Sequence, residues 1–452
     1  MNQNLKIFFW SLSAALGGFL FGFDTAVISG VEQTLQHLWH LSVFEHGFTV
    51  SIALIGTVIG SLVGGIPAEK YGRRVSLFIV AILYLVSALG SALAVDWVIF
   101  LVFRLLGGFG VGISSVVAPM YISEIAPPSK RGRLVALFQF NVVFGILMAY
   151  FSNYLLGGIG DGSWRWMLGV QAIPSVIFML TTLSIPESPR WLVLKRGKIA
   201  EARLILETID ASQADKVLTA IQNSKSVSES SFGNLFKSAY KTPVMLAVLI
   251  AVFNQVSGIN AIIYYAPRIF EMAGLGKSAA LLSSAGIGLT NLISTLVGLS
   301  LIDKFGRRKL MALGSVGLIL SLVLVAQAFF RNSLGGLVPF YLFLFIASFA
   351  FSQGAVIWVF ISEIFPNEVR AYGQALGSFT HWIMAAAISF SFPYISATFG
   401  GGLTFSFFAL MMVCQLLFVW KLMPETKGTS LEKAPLLTEG ELFDSTNTMI
   451  HF

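Results

Sequence analysis

Charge is the scarcest ingredient of this sequence. Asp, Glu, Lys and Arg supply 11% of its 452 residues, where a soluble domain carries about 25%, so the chain cannot clothe a globular surface in charge. Cysteine is nearly absent: Cys414 stands alone, which excludes an intrachain disulfide, and inside an apolar run it reads as a packing residue. Histidine is limited to five residues and no H-E-x-x-H occurs. His37 with His40 is too little for a metal site, so neither metal nor cofactor is expected and a membrane enzyme has little support. The absence of a G-x-x-x-x-G-K-[ST] phosphate loop, with too short a polar stretch for a nucleotide-binding domain, argues against an ATP-driven pump.

What is plentiful is apolar sequence, 56% of the chain, with a mean hydropathy of +0.81. A bilayer core of about 30 Å takes about 20 helical residues to cross. Apolar stretches of that size fall at 7–30, 47–68, 75–95, 97–121, 134–158 and 165–185, then at 243–267, 279–301, 310–330, 336–361, 372–398 and 403–423. The expectation is an all-α membrane protein of about twelve spanning helices. Residues 1–185 form one six-helix bundle and 243–423 another. Residues 186–242, including the run Ala200 to Ile209, form a cytoplasmic linker with short helices, and 424–452 a cytoplasmic tail. The first run has only Lys6 as a basic flank and no small-residue cleavage site, so it reads as a retained helix.

The net charge of +7 does not gather on one soluble face, which argues against a nucleic-acid partner. Lys70, Arg73, Arg74, Lys130, Arg131, Arg133, Lys304, Arg307, Arg308, Lys309 and Arg370 fall on one set of alternating loops, with the basic residues of the linker. The opposite loops hold Arg165, Lys277 and Arg331, with Arg268 near a helix end. By the positive-inside rule, the first set, the linker and both termini face the cytoplasm.

The two halves repeat. Glu69-Lys70-Tyr71-Gly72-Arg73-Arg74 returns as Asp303-Lys304-Phe305-Gly306-Arg307-Arg308, and Ile122-Ser123-Glu124-Ile125 as Ile361-Ser362-Glu363-Ile364. Arg131 and Arg370 stand at matching distances beyond, and Pro186-Glu187-Ser188 returns as Pro424-Glu425-Thr426. Similar halves related by an axis along the membrane normal enclose a cavity that rocking exposes to each side in turn. Glu69, Arg73, Glu124, Arg131, Asp303, Arg307, Glu363 and Arg370 are then candidates for a cytoplasmic gate of ion pairs made in one state and released in the other. The alternative is topogenic charge with helix-capping acids, although topogenesis needs no matched acids.

Further motifs add to the repeat: Gly22-Phe23-Asp24; Arg104 followed by Gly107, Gly108, Gly110 and Gly112; Pro186-Glu187-Ser188-Pro189-Arg190-Trp191; Gln255-Val256-Ser257-Gly258-Ile259-Asn260 with Tyr264-Tyr265; and Pro424-Glu425-Thr426-Lys427-Gly428. Together they make a chain that resembles the sugar porters of the major facilitator superfamily over essentially its whole length. The resemblance implies the major facilitator fold, a monosaccharide substrate, alternating access in a bacterial inner membrane and function as a monomer.

A sugar offers hydroxyls and apolar C–H faces, so its site needs groups that donate and accept, beside aromatic faces. Membrane-embedded Gln139, Gln255, Asn260 and Asn291 are candidates, with Trp358 and Trp382 as platforms; helix-to-helix hydrogen bonding is the alternative for each amide. The resemblance places Gln139, Gln255, Asn260, Asn291 and Trp358 on the sugar cavity, with Phe21, Tyr264 and Gly354 close by. The chain departs from the family in having Asn254 before Gln255, where two glutamines are common, and His381 before Trp382, where Asn or Gln is usual. Ile146 and Gln171 stand where a xylose symporter of the family carries glutamine and glutamate, and Ile146 favours a hexose over a pentose.

Asp24 and Arg104 lie within apolar runs, where a lone charge costs at least about 2.5–3.5 kcal/mol, so each is expected to partner the other. Burial and a neighbouring guanidinium act on a carboxylate in opposite directions. Helix movement can therefore change its proton affinity between outward and inward states. The resemblance adds that proton symporters carry Asp at this position and passive carriers Asn. The reading is proton-coupled import of a monosaccharide. A passive facilitator is the nearest alternative, and a sugar sensor, expected to carry a longer signalling tail than the segment after Met423, a weaker one.

Overall fold

The computed structural model describes residues 3–127, 129–223, 232–331, 335–366 and 368–427. The described residues are helical, without strands. In chain order the helices are α1 (Gln3–Val27), α2 (Glu32–Leu38), α3 (Val43–Val63), α4 (Gly65–Tyr71), α5 (Arg73–Leu93), α6 (Trp97–Ile125), α7 (Arg131–Leu156), α8 (Ser163–Gly169), α9 (Ala172–Ser184), the single turn α10 (Pro189–Trp191), α11 (Ile199–Asp210) and α12 (Ala214–Asn223). Then follow α13 (Lys241–Val256), α14 (Ile259–Met272), α15 (Lys277–Phe305), α16 (Arg307–Arg331), α17 (Val338–Phe351), α18 (Gln353–Glu363) and α19 (Arg370–Lys421). Of the expected tail 424–452, residues 428–452, Gly428 included, lie outside the described residues.

Among the described residues, eleven helical segments are long and apolar enough to cross a bilayer. Helix α19 runs for 52 residues, about 78 Å at the helical rise, which is enough for two crossings. Its backbone breaks at Gly400, at φ 75° and ψ 165°, between the two last stretches marked by hydropathy. Twelve crossings result, in agreement with the apolar pattern, and the protein is a multi-pass membrane protein.

Hydropathy does not show where the spans break. The sixth is divided between α8 and α9 around Gln171, the seventh between α13 and α14 at Gly258, and the tenth between α17 and α18 at Ser352, which has φ −109° and ψ −89°. Each break frees backbone groups that need partners or water at membrane depth, which such chains tolerate where the backbone is buried in protein or lines a cavity. Local chemistry sets other ends: Asp96 accepts from the Ile99 amide at 2.9 Å at the start of α6. Ser42 and Glu45 form a capping box ahead of α3.

The chain divides into two compact units, Met1–Leu41 with Thr49–Ser228, and Ser42–Phe48 with Glu229–Phe452. In the first, α11 buries Ala202, Leu206 and Ile209 and α12 buries Ala214, Leu218 and Ile221, one amphipathic face each. Gln3 Nε2 donates to the Ile209 carbonyl at 2.7 Å. In the second, Leu235 and Tyr240 join a core containing Phe360, Ile361, Phe365 and Val419.

Candidate substrate and proton site

The first unit holds the charged pair. Asp24 near the end of α1 and Arg104 in α6 are each 2% exposed or less. Arg104 Nη1 donates to Asp24 Oδ1 at 2.6 Å, and Nη2 donates to the Asp24 carbonyl at 3.2 Å. The glycine run after Arg104 explains how α6 comes close enough. A Cβ on Gly108 would collide with the Ala53 carbonyl and one on Gly112 with the Thr57 carbonyl, both on α3. Gly107 faces Ser87 of α5 and lies beside Asp24. The run therefore lets backbone meet backbone, the packing mode of membrane helices. Gln139 on α7 and Phe21 on α1 are half-buried in the same unit.

The second unit gathers amides and aromatic rings where the seventh span breaks. Asn260 Nδ2 donates to Gln255 Oε1 at 2.6 Å, and Gln255 Nε2 donates to Asn254 Oδ1 at 2.9 Å. The same Nε2 lies 3.2 Å from the ring nitrogens of His381. An imidazole nitrogen accepts there only when it carries no proton. The His381 ring sits 4.9 Å from Trp358 and 4.9 Å from Trp382, centre to centre. Trp382 is buried, whereas Trp358 is 38% exposed. This array has lone pairs and N–H groups left over for hydroxyls, beside an open indole face. Tyr264 is buried on α14. A side chain on Gly354 would meet nothing closer than 3.6 Å. Asn291, on α15, bonds instead to Thr295 at 3.4 Å, so the structure does not join it to the Gln255 array. Gln353, which opens α18, is fully buried with its Oε1 unpartnered within the protein; its amide in an apolar run was the signal available in the sequence.

The repeated charges form one cluster in each unit, with the same design. Arg73 donates to Glu124 at 3.0 and 3.1 Å and pairs with Glu69 at 3.3 Å. Arg307 donates to Glu363 at 3.0 and 2.7 Å and pairs with Asp303 at 3.2 Å. The two members that sequence reasoning left out of the gate are Glu187 and Glu425. Glu187 accepts from the Arg73 and Arg74 amides at 2.9 and 3.2 Å, and Glu425 from the Arg307 and Arg308 amides at 2.9 and 3.1 Å. Each caps a spanning helix whose first amides lack an internal partner. Gly72 and Gly306, at φ 100° and 83°, leave room for them, since a Cβ on either would strike the capping carboxylate. The duplicated Pro-Glu-Ser and Pro-Glu-Thr motifs held this information, but only the fold shows which amides they reach. Arg131 is exposed at the start of α7 with no ion pair among the described residues, and Arg370 Nε donates to the Phe365 carbonyl at 3.1 Å.

Burial pushes the Glu187 carboxyl above the usual carboxylate range, and its backbone donors only partly offset this. Burial also works against charge on Glu69, but Lys195 and Arg73 outweigh it and hold that group below the range. For Glu187 the folded state binds protons more tightly than the unfolded chain, so its contribution to stability falls as pH rises from about 4.5 through the raised value. The Tm advantage of the native protein over Glu187→Gln should therefore shrink across that window in detergent. An advantage that grows with pH would contradict this assignment.

The family described as "Sugar (and other) transporter" matches residues 10–437. An arabinose-proton symporter of Bacillus subtilis is 40% identical over 433 residues, covering 94% of this chain and 93% of that protein. A glucose transporter of Staphylococcus epidermidis is 36% identical over 437 residues, covering 96% of this chain and 97% of its own. The xylose transporter XylE of E. coli, solved in a partially occluded inward open conformation, superposes with a TM-score of 0.84 at 34% identity, covering 94% of this chain and 99% of that one. These relatives are transporters and not enzymes. The chain belongs to the sugar transporter family, the sugar porters of the major facilitator superfamily.

Proposed function

We propose that this protein imports a monosaccharide together with a proton by alternating access across a bacterial inner membrane, with both termini on the cytoplasmic side. The observation that carries the reading is the Asp24–Arg104 pair, buried within 2.6 Å contact in the first unit. A carboxylate at that depth is costly and belongs by default to an ion or proton pathway. Asp24 takes and releases the proton, with Arg104 as its ion-pair partner. The Asn254, Gln255, Asn260 and His381 array, with Trp358 as an apolar platform, receives the hydroxyls and C–H face of the sugar. Asn291, Trp382, Tyr264 and Gly354 complete the proposed sugar contacts of the second unit, and Gln139 and Phe21 are those proposed for the first. The Arg73 and Arg307 clusters act as gates that open and close with the transport cycle.

Support for the sugar divides. Ile146, an apolar side chain in α7, favours a hexose, while the relatives named for arabinose and xylose favour a pentose. Uptake of labelled hexoses and pentoses into proteoliposomes, with and without an imposed pH gradient, tests both parts. Accumulation of one sugar only under an inward proton gradient, with external alkalinisation on sugar addition, is the expected result. Equilibration without accumulation under every gradient leaves the passive facilitator, and binding without uptake leaves the sensor.

A further inference from the structure

Serine in a membrane helix ordinarily returns its hydroxyl to a carbonyl one turn back, and several in the first unit do so: Ser76 to Gly72, Ser115 to Gly112 and Ser175 to Gln171, at 2.7, 2.7 and 2.8 Å. Ser11, Ser87 and Ser91 do not: each is 1% exposed or less, and each hydroxyl makes no hydrogen bond within the protein. Ser114, equally buried, also forgoes that carbonyl and has the Tyr84 hydroxyl as its partner. Gln171 Nε2 and Arg104 Nε are orphaned as Ser11, Ser87 and Ser91 are. A dry orphan of this kind is costly, so three hydroxyls that forgo the carbonyl of their own helix point to another partner.

Ser87 and Arg104 lie beside Asp24. Tyr84, Ser87 and Ser91 follow helical spacing along one buried face of α5. Ser87 Oγ lies against the place a Cβ on Gly107 would occupy, and Asp24 Oδ1 is 3.5 Å from that same place. Tyr84 donates to the Gly17 carbonyl at 3.4 Å, and Ser114 Oγ fills the space beside Gly17. Toward the other end, a Cβ on Gly169 would meet the Ala92 side chain at 3.4 Å, so the α8–α9 break packs against the end of α5 that carries Ser91. Buried polar groups without protein partners are where internal water is held.

We propose that these hydroxyls hold a file of buried water inside the first unit and that the proton travels along it to and from Asp24. The inference rests on Asp24 being the coupling acid. On loading, a water bonded to Ser87 transfers a proton to the Asp24 carboxylate: an O–H bond forms on Asp24 and one on the water breaks. The next water along the file replaces the lost proton, with bulk solvent on the outer side as the net source; on unloading the O–H bond on Asp24 breaks and its proton passes to a water that leads to the inner side. Serine suits the role because it donates and accepts at once and carries no charge to compete with Asp24. If these serines instead serve only close helix packing, alanine does as well.

The test uses the full chain in proteoliposomes, with Ser87→Ala and Ser91→Ala measured for proton-driven uptake and for sugar counterflow, which needs no net proton movement. The expected result is uptake slowed about tenfold or more, with an altered solvent isotope effect, unchanged KM and unchanged counterflow, and recovery in Ser87→Thr. Native uptake in both alanine variants overturns the file, as does an equal fall in uptake and counterflow, which marks a packing role. Accumulation that survives Asp24→Asn refutes the coupling acid itself, a distinct failure.

Discussion

Asp24→Asn is expected to abolish accumulation of sugar against its gradient while leaving sugar exchange in place. Asn matches Asp in shape and keeps an oxygen for Arg104 Nη1, so the contact at 2.6 Å can persist without the titratable group. A membrane potential of about 100 mV supplies about 2.3 kcal/mol per proton, which corresponds to about 50-fold accumulation. The variant should fall from that order to unity. Removing the counter-charge of a buried guanidinium costs about 3–5 kcal/mol, so a lower Tm in detergent accompanies the change. Exchange measured beside uptake separates the two effects: proton-driven accumulation in a folded variant would refute the coupling role, and exchange without accumulation supports it.

The second large effect is expected at Gly108. Its Cα packs against the Ala53 carbonyl of α3, and Thr57 Oγ1 donates to the Gly108 carbonyl at 3.2 Å. Backbone cannot yield as a side-chain tip can, so Gly108→Val forces α3 and α6 apart and carries Arg104 off Asp24. The loss should exceed about 4 kcal/mol, the range reserved for overpacked or broken cores, and leave little monodisperse protein on size exclusion. Gly132→Ala is the matched control: no atom lies within 4 Å of its added Cβ, and its Tm and uptake should equal those of the native chain. Gly110→Ala falls between them, since its Cβ meets a Leu83 side-chain carbon at 3.3 Å. Equal behaviour of Gly108→Val and Gly132→Ala would contradict the helix packing described for the site.

In the sequence these glycines look alike, and so do the serines. Gly107, Gly108, Gly110 and Gly112 form one run, yet each faces a different neighbour. Ser114 and Ser115 are adjacent, yet Ser115 is satisfied by its own helix and Ser114 is not. Arg73 and Arg131 both belong to repeated basic motifs, but Arg73 meets Glu124 while Arg131 faces outward. Glu187 and Glu425 were visible as repeated acids, and only the folded loop shows that they cap α5 and α16.

The sequence alone determined the membrane class, the twelve crossings, the internal repeat and the family, because hydropathy, period and motif order are properties of neighbouring residues. It also singled out Asp24 and Arg104, since charge at membrane depth is conspicuous wherever its partner lies. The expected meeting of these two is present in the structure, while the tertiary structure alone decided that Gln255 links Asn254, Asn260 and His381, that Asn291 bonds to Thr295 and not to them, and where the spans break. Those are choices among partners far apart in the chain. They depend on how helices rotate and how closely their backbones approach, which no local pattern records.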